Sequence, residues 1–446
     1  MVRKNTLLHV LEEKMKKNKT KKDLRVEQKR LVKWLRVIIV LCIAIIAIEV
    51  CYIGLSYYNR SKSIIYTDTL NSFKETKDGY LVVGNSDFKK SKFNDYQKEY
   101  NKAKFAKYNK DFEVEFESAY TKGYSSYFSD VIEYSDGFIA VGGAQYDKQQ
   151  VEDNATDGLI VLYDKEGKQV KTKSVQIAGD TTFNKVLLVD DGFIVVGQSI
   201  LQNMVIGSDP DGGALIIKYD FDLKEQWRAN FGGSKSATFN DAIIDGDYLY
   251  LVGKDATRYG MIAKYTLDGK QVYAKTYEYT DTVGFSSIVK VGDDFFVAGS
   301  KTINIDAKDA DKVTEGLILK YNSDGEVLDE VTFSRNNAAR FNKIVSDGDN
   351  LIVVGHTYKK DEDKSTDTYN YLDYRGIIVK YNTDLEKKAN NKENGEGIDY
   401  FSDVIVTSDG YLVGGASSSK ELGSNNKDYR TYFLKYNKDL ERQWYK

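Results

Sequence analysis

Residues 128–143 read FSDVIEYSDGFIAVGG, and residues 157–175 read DGLIVLYDKEGKQVKTKSV. Each stretch contains two runs of strand-forming residues joined by a turn, at Asp136 and Gly137 in the first and at the DKEG sequence in the second. An Asp-Gly pair between two such runs is a strong signal of a tight β-hairpin. Two hairpins in succession predict one unit of four short antiparallel strands, which we name A, B, C and D.

The same unit occurs seven times along the chain. Three residues mark each copy: an aromatic residue or leucine that opens strand A, a glycine that closes the apolar run of strand B, and a tyrosine that closes the run of strand C. The openers are Leu70, Phe128, Phe183, Phe239, Phe285, Phe341 and Phe401. The glycines are Gly84, Gly142, Gly197, Gly253, Gly299, Gly355 and Gly414. The tyrosines are Tyr108, Tyr163, Tyr219, Tyr265, Tyr321, Tyr381 and Tyr436.

The spacing between these residues is nearly constant except in one connection. The separation from opener to glycine is the same in six copies and one position shorter in the last, and the separation from tyrosine to the next opener never changes. The separation from glycine to tyrosine varies widely, being shortest from Gly253 to Tyr265 and longest from Gly355 to Tyr381. Nearly all length variation therefore falls between strands B and C.

This pattern indicates which end of the sheets carries recognition. In an up-and-down sheet, the B–C and D–A connections lie at one end, here the B–C face, and the A–B and C–D turns lie at the other, the tight-turn face. Variable loops on a rigid scaffold usually carry recognition. We therefore predict that ligands bind the B–C face.

Repeats of this length with four strands each are typical of β-propellers. The sequence therefore predicts an all-β fold, a seven-bladed β-propeller with four antiparallel strands per blade. Strands B and C are near-continuous apolar runs, as expected where neighbouring blades cover both faces of a sheet. We expect the openers and the tyrosines to pack blade against blade. We expect the strand-B glycines to permit a close backbone approach or a positive φ angle.

An apolar segment precedes the repeats. Residues 37–58 hold one charged residue, Glu49, across 22 positions, a length that suits a membrane-spanning helix. Residues 1–36 contain 13 Lys or Arg against 4 Asp or Glu, so we expect this tail to stay in the cytoplasm. The predicted order is a basic cytoplasmic tail (1–36), a transmembrane signal-anchor helix (37–58), a stem and ring-closure segment (59–69) and an extracytoplasmic propeller (70–446), in a single-pass protein of the cell membrane. A cleaved signal peptide is the alternative, although no A-x-A site follows the run.

The charge and cysteine content of the repeats exclude some classes of function. Residues 60–446 contain 51 Lys or Arg against 62 Asp or Glu. This acidic balance argues against a nucleic-acid partner, which requires a clustered basic surface. The only cysteines, Cys42 and Cys51, fall in the apolar segment, so the repeats use neither disulfides nor thiolate chemistry.

Few residues in the repeats suggest ligand chemistry, and no catalytic residue is assigned. Tyr369, Tyr371 and Tyr374, in TYNYLDYRG, are candidates for stacking on a ligand, unless strand C simply begins early there. His356, directly after Gly355 and predicted to start a B–C loop, is a further binding candidate, but a lone histidine cannot build a histidine-based zinc site. Asp306, Asp309 and Asp311, in DAKDAD, are candidate Ca²⁺ ligands without EF-hand spacing, and solvated loop charge is the alternative. No other cofactor is predicted.

The hairpins DGFIAVGG…DGLIVLYDKEG and GMIAKYTLDGKQVYAK resemble the degenerate β-propeller repeats of bacterial membrane-anchored cell-surface proteins. Residues 224–241, KEQWRANFGGSKSATFND, carry the Trp and Gly-Gly of that group most clearly. The resemblance covers about residues 61–446 and implies an extracytoplasmic repeat domain, mostly of unassigned function. The chain departs from the pattern in having few tryptophans and a short B–C span in its fourth repeat. It contains no sialidase Asp-box, WD40 pair or quinoprotein motif.

Three functions agree with these features. The first is a non-enzymatic, membrane-tethered binding or scaffold module that recognises a protein or a glycan through its B–C face. The second is an extracytoplasmic carbohydrate-active enzyme that uses loop carboxylates as an acid and nucleophile pair. The third is a structural subunit of a membrane complex, in which Glu49 and the basic tail contact partners.

Overall fold

The computed structural model describes residues 32–35, 37, 65–89, 101–147, 155–177, 179–200, 212–232, 237–255, 258–278, 282–303, 313–335, 338–358, 374–393, 399–418 and 430–446. In this part of the chain, 28 strands form seven sheets, and each sheet contains four consecutive strands in the order A, B, C, D. Paired strands within each sheet are antiparallel. The prediction of seven blades with four antiparallel strands each is confirmed.

The first four blades follow one another from residue 65 to residue 277. Blade 1 comprises β1 (Ile65–Glu75), β2 (Gly79–Lys89), β3 (Lys102–Asn109) and β4 (Val114–Ala119). Blade 2 comprises β5 (Ser125–Tyr134), β6 (Gly137–Gln145), β7 (Asp157–Asp164) and β8 (Gln169–Val175). Blade 3 comprises β9 (Asp180–Val189), β10 (Gly192–Ile200), β11 (Gly213–Tyr219) and β12 (Glu225–Gly232). Blade 4 comprises β13 (Thr238–Asp245), β14 (Tyr248–Lys254), β15 (Gly260–Thr266) and β16 (Gln271–Tyr277).

The last three blades complete the set. Blade 5 comprises β17 (Thr282–Val291), β18 (Asp294–Ile303), β19 (Val313–Tyr321) and β20 (Val327–Phe333). Blade 6 comprises β21 (Ala339–Asp347), β22 (Asn350–Tyr358), β23 (Tyr374–Asn382) and β24 (Lys387–Lys392). Blade 7 comprises β25 (Asp399–Thr407), β26 (Gly410–Ser417), β27 (Arg430–Asn437) and β28 (Arg442–Tyr445).

The sheets form a closed ring. Strand A of each blade contacts strand A of the next, and β1 of blade 1 contacts β25, β26 and β27 of blade 7. At this junction the ring centroids of Phe73 and Phe433 are 5.4 Å apart, and those of Phe112 and Trp444 are 5.1 Å apart. Each sheet contains only consecutive strands, so the ring closes by side-chain packing and not through a shared sheet.

The N-terminal region lies largely outside the described residues. Residues 32–35 and 37 are helical. The described residues contain no helix with the length and hydrophobicity needed to span a membrane. Of the segment 37–58, predicted to be a transmembrane helix, only Val37 is described, so that prediction falls outside the described part. Strand β1 begins at Ile65, within the segment predicted as a stem.

The openers join each blade to the one before it. All seven are buried. A Cβ atom built on Gly158, Gly260, Gly316 or Gly376, near the start of strand C, would lie 2.5 to 2.8 Å from the opener ring of the following blade. Six of the seven marker tyrosines are also buried, and Tyr108 is half-buried. The predicted packing role of these residues is confirmed.

The strand-B glycines allow the backbones of strands A and B to approach closely. Six of the seven marker glycines pair with an opener at a β-bulge, as Gly142 does with Phe128. A Cβ atom on Gly142 would lie 2.0 Å from the carbonyl oxygen of Tyr127. None of the seven marker glycines has a positive φ angle, so the prediction that they permit a positive φ angle was wrong.

The prediction of Gly414 as the marker glycine of the last repeat was also wrong. Phe401 pairs with Gly415 and not with Gly414. A Cβ atom on Gly415 would lie 2.1 Å from the Tyr400 carbonyl oxygen, whereas one on Gly414 would meet the ring of Phe73. With this correction the separation from opener to glycine is identical in all seven blades, because the same bulge recurs in each.

Each C–D turn fits the strand D of the preceding blade. The residue four positions after the marker tyrosine has a positive φ angle in every blade. In three blades it is a glycine that faces an aromatic ring of that strand D, in the pairs Phe116 with Gly167, Trp227 with Gly269 and Tyr273 with Gly325. In blade 1 it is Phe112, which packs against Trp444.

The other three blades have a buried leucine at this turn position. These residues are Leu223, Leu385 and Leu440. The preceding strand D presents Lys, Asp or Ala at the corresponding position instead of an aromatic ring. The leucine side chain occupies the space that an aromatic ring fills in the other blades. Its burial offsets the cost of the positive φ angle, which is about 1–2 kcal/mol.

A glycine-to-alanine pair tests the packing of the opener. In Gly260→Ala the new methyl group would overlap the buried Phe285 ring, so we expect the free energy of unfolding to fall by about 1–3 kcal/mol. In Gly284→Ala the methyl group meets nothing within 4 Å, so this change should be neutral within about 0.5 kcal/mol. Urea denaturation measures the free energy of unfolding of both variants. Equal losses in the two would contradict the packing of the Phe285 ring against Gly260.

Candidate functional site

The two ends of the blades differ in the length of their connections. At the tight-turn face, the A–B and C–D turns differ by no more than one position from blade to blade. At the opposite end, the D–A connections vary in length: segment 176–179 is among the shortest, and segment 393–398 is the longest. The B–C connections range from segment 255–259 in blade 4 to segment 359–373 in blade 6. The predicted concentration of length variation on the B–C face is confirmed.

A ring of polar side chains occupies the inner edge of the propeller. It is formed by the residue two positions after each opener, in strand A. These residues are Ser72, Asp130, Lys185, Asp241, Ser287, Lys343 and Asp403. We call this set, with Lys74 of blade 1, the axial ring.

Ion pairs connect the axial ring across several blades. Lys185 Nζ lies 3.3 Å from Asp130 Oδ2 and 3.4 Å from Asp241 Oδ1. Lys343 Nζ lies 2.8 Å from Asp241 Oδ2, and Lys74 Nζ lies 3.3 Å from Asp130 Oδ1. Blades 1, 2, 3, 4 and 6 are thus joined by opposite charges.

The two serines extend the network to the remaining blades. Ser72 Oγ lies 3.0 Å from Asp130 Oδ1 and 2.8 Å from Asp403 Oδ2, which brings in blade 7. Ser287 Oγ donates to Asp241 Oδ2 over 2.8 Å and brings in blade 5. With three aspartates and three lysines, the axial ring carries no net charge.

Paired charges in the axial ring shift the pKa values of its members. Burial alone would raise the pKa of Asp241, but Lys343 and Lys185 outweigh it and hold the pKa well below its usual range. Burial likewise opposes ionisation of Asp130, and Lys185 and Lys74 lower its pKa overall. The pKa of Lys185 is raised because Asp130 and Asp241 outweigh the effect of burial. All three groups are therefore charged at neutral pH.

A second set of polar residues ties each blade to the next. The residue directly after the opener is Asn or Ser in all seven blades. Its side chain donates to the carbonyl oxygen of the next opener in five cases, over 2.6 to 2.8 Å. The donors are Asn71, Asn184, Asn240, Ser286 and Asn342.

A polar cleft opens on the B–C face between blades 2, 3 and 4, with a volume of about 420 Å³. We call it the blade 2–4 cleft. Its lining consists of hydroxyl and amide groups with a single carboxyl group. The lining residues are Tyr127, Thr156, Asp180, Thr182, Asn184, Gln198, Thr238 and Asn240.

The carboxyl group of Asp180 is the distinctive feature of this cleft. Its Oδ1 atom is buried and has no hydrogen-bond partner among the described residues. Burial raises the pKa of Asp180, and hydrogen bonds from the hydroxyl and backbone N–H of Thr156 oppose the rise. Burial, with a contribution from Asp180, also raises the pKa of the neighbouring Tyr127 phenol to about 12. Asp180 lines the cleft and holds one buried acceptor oxygen that the described residues leave unused.

Two of the binding residues predicted from sequence lie together. The ring centroids of His356 and Tyr374 are 5.3 Å apart. His356 belongs to strand β22 and not to the start of a loop, because the β22–β23 hairpin continues as far as Tyr358 and Tyr374. Burial, with a smaller effect of Arg340, lowers the pKa of His356 to about 4. The imidazole is therefore neutral at physiological pH.

The other predicted site residues lie outside the described part of the chain. These are Tyr369 and Tyr371, and the candidate calcium ligands Asp306, Asp309 and Asp311. Their roles stay predictions. Within the described residues, no group of three or more His, Cys, Asp or Glu side chains is placed to hold a metal ion.

No protein-family model matches the sequence, and no curated protein does. Solved structures with a similar fold include Sqt1 from Chaetomium thermophilum, which is 11% identical, with 84% of each chain covered and a TM-score of 0.44. The Dos1 propeller is 13% identical, with 78% of this chain and 90% of that chain covered and a TM-score of 0.43. At these values the likeness carries no functional argument. The seven-bladed propeller is established by the strand order of the chain itself.

The axial ring and the blade 2–4 cleft were not predicted from the sequence. The ring had a signal, since aligning the repeats on their openers places only Ser, Asp or Lys two positions later. Such a column of polar residues in an otherwise apolar strand marks a face that no neighbouring blade covers. The cleft had no comparable signal, because its lining comes from three blades and several different repeat positions.

Removing one carboxylate should show what the axial ring contributes. Asp241→Asn leaves Lys343 and Lys185 without their shared partner, so we expect the free energy of unfolding to fall by about 3–5 kcal/mol at pH 7. Because the folded-state pKa of Asp241 is lowered, its stabilisation is present above the unfolded pKa near 3.8 and is lost as the pH falls below it. The difference between wild type and variant should therefore shrink below about pH 4.

Urea titrations at several pH values measure this difference. Asp191→Asn is the control, since it removes an exposed ion pair of 2.7 Å with Lys218. That change should cost less than about 1 kcal/mol. Equal losses in the two variants at pH 7 would contradict a stabilising axial ring.

Proposed function

We propose that this protein is a non-enzymatic binding module, a propeller held outside the cytoplasmic membrane by one helix over residues 37–58. Its B–C face recognises a protein or a glycan. The observation that carries the proposal is that the connections with variable length and the blade 2–4 cleft occur at the same end of the propeller. The opposite end consists of short turns with nearly uniform length.

The membrane anchor is supported by the sequence. Residues 37–58 are long and apolar enough for one span. The basic residues before them favour a cytoplasmic N-terminus. We therefore place the N-terminus in the cytoplasm and the propeller outside it.

Binding is favoured over catalysis by the chemistry of the described site. A glycosidase requires two carboxyl groups that face each other across the bond to be broken. The described lining of the blade 2–4 cleft contains one, Asp180. His356 is neutral near pH 7 and half-buried against Tyr374, a position that suits packing better than proton transfer.

Cysteine labelling in intact cells tests the topology. In a background with Cys42 and Cys51 replaced by alanine, Lys270→Cys places one thiol on an exposed C–D turn. We expect a membrane-impermeant maleimide to label it without lysis, because the propeller lies outside. Lys16→Cys is the control and should react only after permeabilisation. Labelling of position 270 only after permeabilisation would place the propeller in the cytoplasm.

Attaching a bulky group to either end of one blade tests the binding face. Arg258→Cys lies in the B–C connection of blade 4, and Lys270→Cys lies in the C–D turn of the same blade. After coupling to polyethylene glycol, we expect only the Arg258→Cys protein to lose binding to a glycan array. For a protein ligand, a photocrosslinker at the same two positions should capture it from position 258 alone. Loss of binding from position 270 alone would contradict the proposal.

A further inference from the structure

We infer that the blade 2–4 cleft is a binding site for a neutral sugar, with Asp180 accepting hydrogen bonds from its hydroxyl groups. This inference rests on the proposed function and names the ligand class for one part of the B–C face. It follows from the composition of the lining, from the unused Asp180 oxygen and from the size of the cleft.

The lining excludes several classes of ligand. Among the described residues it contains no lysine, arginine or histidine, so it offers no cation to a phosphate or an acidic peptide. Apolar side chains are also missing from this described lining, apart from the ring of Tyr127, so it does not suit a hydrophobic ligand. What remains is a set of neutral groups that donate and accept hydrogen bonds, which matches a polyhydroxylated molecule.

The Asp180 carboxyl group supplies the strongest argument for a ligand. A buried acceptor without a partner is unfavourable, and a hydrogen bond to a charged group is stronger than one between neutral groups. Thr156 already donates to this carboxyl group, while Oδ1 lacks a donor among the described residues. Asp180 lines the cleft, so rotation of its carboxyl group would turn this oxygen toward a sugar hydroxyl, which would provide the donor and could accept a hydrogen bond from Gln198.

A neutral donor suits the site better than a cation. The cleft provides one carboxyl group, and Thr156 already donates hydrogen bonds to it. An amine would also lose its hydration shell without gaining a second anionic partner. A volume of about 420 Å³ lies within the range of small-molecule sites and accommodates one or two sugar rings.

The test uses the full chain in lipid nanodiscs. Glucose, galactose, N-acetylglucosamine and their β-linked disaccharides are screened by saturation-transfer NMR, with spermidine and inorganic phosphate as charged probes. We expect saturable binding of at least one saccharide and of neither charged probe. By calorimetry, Asp180→Asn should weaken that binding about ten- to a hundredfold, since it removes the charged acceptor while keeping the shape.

Asp191→Asn makes the same substitution in the A–B turn of blade 3, at the opposite end, and should leave the affinity unchanged. Unchanged melting temperatures of both variants would show that the fold is intact. The inference is overturned if no saccharide binds, if spermidine binds in an Asp180-dependent manner, or if Asp180→Asn has the same affinity as Asp191→Asn. If blocking position 258 abolishes ligand binding while Asp180→Asn has no effect, the proposed function stands and only the sugar site is wrong.

Discussion

The structure depends on the need of every blade to cover both faces of its sheet with neighbouring blades. Strands B and C are apolar on both sides, so one isolated sheet would expose them to water. One contact that covers these faces joins the opener ring of one blade to a glycine near the start of strand C in the blade before it. Phe285 packs on Gly260 in this way. Full burial of such a ring contributes about 1.5–3 kcal/mol. Because each blade needs a neighbour on both sides, the ring must close, and Phe73 and Phe433 pack together where it closes.

The axial ring has a different effect from the apolar contacts. Buried ion pairs lose hydration and often contribute little net stability, but they disfavour arrangements that leave a charge unpaired. Asp241 lies between Lys185 and Lys343, and Asp130 lies between Lys74 and Lys185. A sheet displaced by one residue would bring a different side chain to this position and leave these charges without partners. We interpret the axial ring mainly as a device that fixes the register of the seven strands A.

The division of the propeller into two ends follows from the same packing. Short turns at one end are fixed by the fit between each C–D turn and the strand D before it, as in Gly269 against Trp227. The B–C connections differ widely in length, while every blade keeps the same four strands. We therefore expect recognition to diversify at this end. The cleft around Asp180 lies at that end, between sheets whose positions are already fixed.

The sequence repeat alone determined the number of blades, the four strands in each blade and the end at which the connections vary in length. It could do so because hydrophobic periodicity and turn signals are local properties of the chain. Local pattern could not choose between Gly414 and Gly415, since the choice depends on which of them faces the Tyr400 carbonyl oxygen across the bulge. The sequence pattern also placed His356 in a loop, although it lies in strand β22. The length of a hairpin depends on pairing between its two strands, which a local pattern does not show. The axial ring and the Asp180 cleft were decided only by the tertiary structure. Their members come from different repeats, and closure of the ring brings them within hydrogen-bonding distance.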